Sequence, residues 1–207
     1  MRLISFSLWG NNDLYNKGAI ENVYEASEIY PGWKCRFYIM KDCPAISILR
    51  ELDCEIALMP KIKEYIPEFW RFFAASDPKV ERVIFRDCDS RVNTREAAAV
   101  DEWIESGLDA HVMRDYPPAH IKETMLAGMW GICGGVIPDM SELIHSWIST
   151  QDTSKKYTDQ KFLHAIIWPR IRSNVMIHGQ DPNGRSRPFP PHKPMKYGDY
   201  VGQVIGV

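Results

Sequence analysis

The sequence predicts one α/β domain in which helices flank a mostly parallel central sheet. Predicted strands and helices alternate along most of the 207 residues, and this alternation is typical of parallel sheets. The uninterrupted apolar run Val83-Ile84-Phe85 indicates a strand that is covered on both faces. A hydrophobic content of 45% supports one substantial core, and the length favours one domain over two.

The first half of the chain is predicted as β-α-β-α-β, followed by an aromatic helix and a fourth strand. In chain order these elements are a strand at 2–8, a helix at 18–29, a strand at 35–40, a helix at 45–52, a strand at 55–59, a helix at 67–75 and a strand at 80–85. Pro31-Gly32 ends the first helix. Pro67 takes an early helical position, where its missing N–H costs nothing.

The second half continues the alternation and ends in an irregular tail. Its predicted elements are a helix at 93–107, a strand at 109–113, a short helix from 120, a glycine-rich loop at 127–135 that leads into a strand, helices at 141–149 and 158–167, and a last strand at 174–177. The tail from Gly179 to Tyr200 is rich in Pro, Gly and basic residues, and an irregular connection of this length is usually functional or disordered. We expect residues 1–207 to form one domain, with 179–207 closing the site. Whether further domains follow in a longer polypeptide stays open.

Charge and composition exclude several classes of protein. The 25 basic and 27 acidic side chains give a net charge of -2 without a basic stripe, so we expect no nucleic-acid partner. The five cysteines are odd in number and form no CxxC pair, which favours reduced thiols. No segment approaches the roughly 20 apolar residues of a membrane span, and the apolar start is too short for a signal peptide. We therefore expect a cytoplasmic protein.

Two carboxylates follow the fourth strand, in the triplet Asp87-Cys88-Asp89. Ligands of parallel sheets bind beyond the carboxyl ends of the strands, and hard oxygen ligands suit Mn²⁺ or Mg²⁺. In sugar transfer from a nucleoside diphosphate, a cation there would stabilise the charge that develops on the diphosphate. The triplet alone is equally compatible with a surface turn. The nearby Arg91 is suited to a phosphate or to a structural ion pair.

Several segments jointly resemble one enzyme family. They are FRDCDSRVNTREAAAVDEWIESGLDAHVMRDYPPAH, then AGMWG, then YTDQKFL, then a lone His after the last strand. Together they resemble the small GT-A glycosyltransferases of polysaccharide-synthesis loci and, most closely, the glycosyltransferase domain of chlorovirus enzymes that decorate the capsid protein. The resemblance covers Ser7 to Tyr200. It implies the GT-A fold, a UDP-sugar donor, a glycan or glycoprotein acceptor and, for a viral protein, the host cytoplasm as location.

The resemblance implies roles for residues in the second half of the chain. It makes Asp87 and Asp89 the metal and diphosphate element, with Mn²⁺ or Mg²⁺ as the cation. It makes Asp159 and Gln160 similar to the sugar contacts of this family. The third protein ligand of the cation is then His178. The family's usual KPW after this His is absent, and Lys193-Pro194-Met195 stands instead beside His192, which is the alternative ligand. Either histidine is also compatible with a solvated position in the tail.

The resemblance also implies a donor site at the end of the first strand. Ser7, Leu8 and Trp9 lie where a GT-A fold receives the nucleotide base, although Trp9 is equally suited to the core. Arg71, on the aromatic helix, is similar to a donor-phosphate arginine of the family. An ion pair with Glu68 three residues earlier is the alternative.

A transfer that inverts the anomeric centre needs a general base, for which Asp115 is the first candidate and Asp159 the second. Asp115 follows the fifth strand, and its structural alternative is an ion pair or a helix cap. Asp159 stands in the first turn of a predicted helix, where an acidic residue is also common for structural reasons. Gly128 could let the backbone approach a sugar or a diphosphate closely.

Three other functions are weighed against this one. A phosphatase of the haloacid-dehalogenase type would also use an Asp-x-Asp element, but near the N-terminus and with a later acidic pair. A nucleotidyltransferase would share the fold, but should show a glycine-rich basic signature in place of SLWGNNDLYNKG. A sugar-binding module without catalysis would need aromatic residues but no acidic element.

Overall fold

A computed structural model of the chain describes residues 1–60, 66–152, 157–180 and 186–206. Seven strands form one sheet in the order β3-β2-β1-β4-β6-β5-β7. The strands are β1 (Arg2–Leu8), β2 (Trp33–Met40), β3 (Cys54–Met59), β4 (Arg82–Arg86), β5 (Ala110–Arg114), β6 (Trp130–Cys133) and β7 (Val175–Gly179). All pairings are parallel except those of β6, which runs antiparallel to β4 and β5. The prediction of a mostly parallel α/β sheet is confirmed.

Helices cover both faces of this sheet. They are α1 (Asp13–Ile29), α2 (Ile46–Leu49), a 3₁₀ helix (Pro67–Ser76), α3 (Thr94–Ser106), α4 (Pro118–Lys122), α5 (Met140–Thr150), α6 (Thr158–Phe162), a π-helical turn (Leu163–Ile167) and α7 (Trp168–Ile171). The π-helical turn comes just before Pro169, whose missing N–H cannot continue the regular helical ladder. Among the described residues no helix is long and apolar enough to cross a membrane.

Strand β4 lies at the centre of the sheet and is buried on both faces, as its apolar run predicts. Val83 and Phe85 belong to the hydrophobic cluster on one face, where the ring of Phe85 lies 4.3 Å from that of Trp130. Ile84 belongs to the cluster on the other face, together with Trp103 of α3. With apolar packing on both sides, β4 holds the acidic triplet at its carboxyl end in one place.

Several predicted elements differ in detail from the structure. The first helix begins at Asp13 and not at residue 18, and the predicted helix at 158–167 is α6 followed by the π-helical turn. The predicted helix at 67–75 is the 3₁₀ helix, and the serines of β1 bind its backbone. The hydroxyl of Ser5 donates to the carbonyl of Arg71 at 2.7 Å, and the amide of Arg71 donates to Ser7 Oγ at 2.9 Å. The glycine-rich segment at 127–135 contains a short strand of its own, β6. A Cβ at Gly131 would crowd Ile84 of the neighbouring strand, so glycine allows this pairing.

The described part of the C-terminal tail returns to the acidic triplet. The amide of Ile205 donates to the carbonyl of Asp89 at 2.9 Å, and Val204 forms an antiparallel bridge with Ser90. Gly202, two residues earlier, lines the cavity described below. The tail therefore lies over the carboxyl end of β4.

Candidate active site

A cavity of about 410 Å³ opens beyond the carboxyl ends of β1 and β4. It combines acidic, basic, aromatic and backbone groups from seven segments of the chain. Its lining residues are Trp9, Tyr15, Glu68, Arg71, Asp87, Asp89, His120, Leu126, Ala127, Gly128, Met129, Tyr157, Asp159, Gln160 and Gly202. Seven of the residues that the sequence proposed for the site are among them.

The two carboxylates of the triplet line this cavity, and the residue between them is buried. Cys88 is 2% exposed, and its thiol lies against the carbonyl of Ser7. Burial, and then the charge of Asp87, raise the pKa of Asp89 to about 6. The pKa of Tyr15 is raised by burial and by the same two carboxylates. The triplet is thus a site of concentrated negative charge that a cation would relieve.

Arg71 connects the triplet to the predicted sugar contact Asp159. Its Nη1 donates to Asp87 Oδ1 at 2.5 Å and its Nη2 donates to Asp159 Oδ2 at 3.0 Å. Although burial disfavours its charge, the two carboxylates raise the pKa of Arg71 above its ordinary value. The alternative interpretation, an ion pair of Arg71 with Glu68, does not apply among the described residues, where both ion pairs of Arg71 are to aspartates.

The glycine and the amide proposed from sequence also lie at the cavity wall. A Cβ at Gly128 would overlap the carboxylate of Asp87, so only glycine leaves that carboxylate its position. Gln160 Oε1 accepts weakly from the amide of Ala127 at 3.4 Å. Asp159 Oδ1 accepts from the amide of Gln160 at 2.8 Å, and burial raises the pKa of Asp159.

A second cavity of about 280 Å³ adjoins the first at the end of β1. Ser7, Leu8 and Trp9 line it with the turn 10–12, and Trp9 and Tyr15 line both cavities. Trp9 is 37% exposed and meets Trp70 edge to face, with ring centroids 6.4 Å apart. Its indole therefore lies at the junction and not in the core. The role of this end of β1 in binding a nucleotide base stays a prediction.

The arrangement fits a divalent cation held by two aspartates. Within the described ranges no group of three or more His, Cys, Asp or Glu side chains is placed to bind one ion. Asp87 and Asp89 are the residues that would hold such a cation, and its remaining positions would be left to water or ligand oxygens, as is common for Mg²⁺. Arg71 pairs with one oxygen of Asp87, Oδ1.

The expectation that His178 completes the cation site is wrong. His178 lies on the edge strand β7 and is fully buried. Its Nε2 donates to Glu102 at 3.2 Å, and its Nδ1 is hydrogen-bonded to Nε2 of His111 at 2.8 Å. Both ring nitrogens are thus used within the fold, away from the cavity. The alternative His192 is exposed on the tail, hydrogen-bonded to the carbonyl of Pro190, and does not line the cavity.

The buried histidine pair predicts acid sensitivity of the fold. Burial lowers the pKa of His111 well below its ordinary value and also lowers that of His178. The stability that the two neutral histidines contribute is complete above about pH 6.5, the pKa of histidine in the unfolded chain. It is lost as the pH falls toward their lower pKa values in the folded protein. We expect the free energy of unfolding to fall below that pH by about 1.4 kcal/mol per pH unit for each histidine that stays neutral.

Urea unfolding between pH 7.5 and 5 measures this dependence. His111→Gln should give a shallower acid slope, since one depressed pKa is removed. His192→Gln, at an exposed position, should keep the slope of the unmodified protein. Equal slopes for His111→Gln and His192→Gln would contradict the prediction.

The expectation that Asp115 is the general base is also wrong. Asp115 is 1% exposed, and Arg95 pairs with both of its oxygens at 2.7 and 3.1 Å. The same oxygens accept from the backbone amides of Tyr116 and Val201. With four donors bound and no place in the cavity wall, Asp115 anchors the tail. It is not placed to take a proton from a substrate.

Arg91 has the structural role that the sequence left open. It is 3% exposed, and its Nε donates to Glu21 at 2.5 Å. Its Nη1 donates to the carbonyls of Cys88 and Ser90. Arg91 therefore stabilises the backbone around the acidic triplet and does not line the cavity.

The structure adds site residues that the sequence did not single out. They are Tyr15, Glu68, His120, Tyr157 and Gly202. Tyr157 belongs to the quoted segment YTDQKFL, so its proximity to Asp159 was visible in the sequence. Gly202 reaches the cavity through the fold of the tail, for which no local pattern exists.

Comparison with known proteins supports the fold. Neither the protein-family models nor the curated proteins give a match. A glycosyltransferase involved in the glycosylation of the major capsid of PBCV-1 has a similar structure, with a TM-score of 0.54 and 17% identity over 87% of this chain and 82% of that one. TarS 1-349 of S. aureus is similar at a TM-score of 0.57 and 14% identity, over 86% of this chain and 58% of that one.

A nucleotidyltransferase shares the same fold. The 4-diphosphocytidyl-2C-methyl-D-erythritol synthase of Anaerococcus prevotii is similar at a TM-score of 0.53 and 11% identity, over 86% of this chain and 87% of that one. At these identities the comparisons concern the fold. The chain has the GT-A fold, and its function has to be argued from the cavity.

Proposed function

We propose that the chain is a glycosyltransferase that moves a sugar from a UDP-sugar to a hydroxyl group of a glycan or glycoprotein, with Mn²⁺ or Mg²⁺ held by Asp87 and Asp89. One observation carries this proposal. The two carboxylates at the end of β4 line the same cavity as the Arg71–Asp159 ion pair and Gln160. Two carboxylates suited to a cation, a guanidinium and polar groups suited to sugar hydroxyls thus line one cavity.

The side chains of the cavity have distinct tasks in such a transfer. When bound, the cation supplies neutralisation of the diphosphate charge. Arg71 holds Asp87 and Asp159 in fixed positions and adds positive charge beside the leaving diphosphate. Because Asp115 is bound within the fold, Asp159 becomes the candidate to accept the proton of the acceptor hydroxyl. Its raised pKa is the direction that a base working near neutral pH needs.

Titration calorimetry with and without a metal tests the proposal. We expect UDP to bind in the presence of MnCl₂ and to lose measurable binding in EDTA. UDP should bind more tightly than ADP, GDP or CDP under the same conditions. A panel of UDP-sugars with Mn²⁺ should then reveal one donor that is slowly hydrolysed. Binding of UDP that is unchanged by EDTA would contradict the metal site, and preference for another base would contradict the donor.

A nucleotidyltransferase is the second candidate, because one of the similar structures is such an enzyme. It would bind a nucleoside triphosphate and release pyrophosphate. The one lysine of the segment SLWGNNDLYNKG is Lys17, which lies on α1 beyond the turn and pairs with Asp13 at 3.1 Å. This is not the glycine-rich basic loop that such a reaction needs. Pyrophosphate release from UTP or CTP with sugar phosphates would favour this second function over the first.

A further inference from the structure

A third cavity, of about 970 Å³, adjoins the cavity of about 410 Å³ that contains Asp87 and Asp89, which we call the donor cavity. It extends from there toward α4 and α6. Four residues line both cavities: His120, Leu126, Tyr157 and Gln160. The larger cavity is an open groove, and Trp147 and the exposed side of the π-helical turn complete its wall. A long molecule lying in this groove would place one end at the donor cavity.

Tyr157 stands at the junction of the groove and the donor cavity in a strained conformation. Its φ is 64°, and among the described residues it is the only non-glycine with a positive φ. Among the large hydrophobic residues that the structure describes, Tyr157 is also the most exposed, at 72%. A strained backbone that presents an aromatic ring to solvent next to Asp159 and Gln160 points to a function of that ring. Aromatic faces are suited to stacking on sugar rings.

The groove carries positive charge that the fold does not neutralise. Lys122 and Lys161 line it, together with one carboxylate, Glu123. Within the described part of the chain neither lysine has an ion-pair partner, whereas Lys17, Lys34 and Lys196 each pair with a carboxylate. Two such lysines in the same groove as an exposed aromatic ring favour a ligand with both a ring face and negative charge.

We propose that this groove binds the acceptor and that the acceptor is a glycan carrying negatively charged groups, either carboxylates or phosphates. This inference rests on the proposed glycosyltransferase function. One sugar ring stacks on Tyr157, the acidic groups lie near Lys122 and Lys161, and the reacting hydroxyl reaches the donor cavity beside Gln160. The hydroxyl oxygen then bonds to the anomeric carbon, the bond from that carbon to the diphosphate breaks with its electron pair, and Asp159 takes the hydroxyl proton.

Binding of defined oligosaccharides tests this inference. With UDP and Mn²⁺ present, calorimetry compares an oligogalacturonate, a phosphodiester-linked glycerol oligomer and a neutral malto-oligosaccharide of the same length. We expect at least one anionic oligomer to bind about tenfold more tightly than the neutral one, and that preference to shrink with added salt. Tighter binding of the oligogalacturonate would identify carboxylate as the recognised group, and tighter binding of the phosphodiester-linked oligomer would identify phosphate. Equal binding of neutral and anionic oligomers would overturn the inference.

Matched variants separate charge from stacking. Lys122→Ala/Lys161→Ala should lower the affinity for the anionic oligomer by about tenfold and leave the affinity for the neutral oligomer unchanged. Lys41→Ala/Lys79→Ala removes two exposed lysines that line neither the groove nor the donor cavity, and it should change neither affinity. Tyr157→Ala should weaken binding of the anionic oligomer, and Tyr157→Phe should restore it. If the two double lysine variants bound the anionic oligomer with the same affinity, the groove would not be its binding site.

The affinity for UDP with Mn²⁺ keeps this test apart from that of the proposed function. If UDP binds normally in all variants and the oligomers do not follow the expected pattern, the acceptor inference fails alone. If UDP does not bind the unmodified protein, the glycosyltransferase proposal fails, and the acceptor inference fails with it.

Discussion

Replacing Asp89 by asparagine is expected to abolish metal-dependent nucleotide binding without weakening the fold. Loss of a residue that only supports a metal ligand already costs 10–100-fold in affinity, so loss of a ligand should raise the Kd for UDP with Mn²⁺ by about 100-fold or more. The fold should not suffer, because burial and the charge of Asp87 oppose ionisation of Asp89. In the absence of metal at pH 7.5, the variant should melt at the same temperature as the unmodified protein or higher.

Thermal unfolding reports both effects in one experiment. At a UDP concentration 100 times its Kd, ligand binding should stabilise the unmodified protein by about 2.7 kcal/mol. A variant with a 100-fold weaker site should gain only about 0.4 kcal/mol at the same concentration. If UDP with Mn²⁺ stabilised Asp89→Asn by nearly as much as the unmodified protein, Asp89 would not be a ligand of the cation.

Asp101→Asn is the matched control for this prediction. Burial, and then the nearby Glu105, also raise the pKa of Asp101, so the two carboxylates share an unfavourable environment. Asp101 lies on α3 and lines none of the cavities. Its replacement should leave both the UDP affinity and the metal-dependent gain in stability unchanged. The comparison separates loss of a cation ligand from loss of negative charge.

The features that the sequence predicted well are those with a local signal. The apolar run at Val83–Phe85 identified a central strand because burial on both faces needs consecutive apolar residues. The acidic pair at its end followed from the rule that ligands bind beyond the carboxyl ends of such strands. Asp87 and Asp89 line the cavity at that strand end, and Arg71, Asp159 and Gln160, which the family resemblance indicated, line it with them.

The errors concern residues whose role depends on distant contacts. Asp115 ends a strand like Asp87 does, but it accepts from the amide of Val201, 86 residues away. His178 also ends a strand, but β7 is the edge of the sheet, and β6 and β5 lie between it and β4. Position at a strand end is a local property. The order of strands and the path of the tail are set by packing of the whole chain.

Replacing Arg71 by methionine is the second change with a large expected effect, this time on stability. Methionine fills similar volume but leaves Asp159, whose side chain is 11% exposed, without its ionic partner. Asp87 suffers less, because its side chain is 45% exposed and water can reach it. Breaking a buried ion pair from one side typically costs 3–5 kcal/mol. With a single carboxylate left buried, we expect Arg71→Met to lower the free energy of unfolding by about 3 kcal/mol.

A second substitution tests whether this loss comes from the unpaired carboxylate. Arg71→Met/Asp159→Asn removes the buried charge, so urea unfolding should show recovery of more than half of the loss, a coupling of about 2 kcal/mol. Arg50→Met, at an exposed arginine after α2, should change stability by less than about 0.5 kcal/mol. If the double variant were as unstable as Arg71→Met alone, the loss would come from packing of the arginine side chain. The ion pairs of Arg71 with Asp87 and Asp159 would then contribute little to stability.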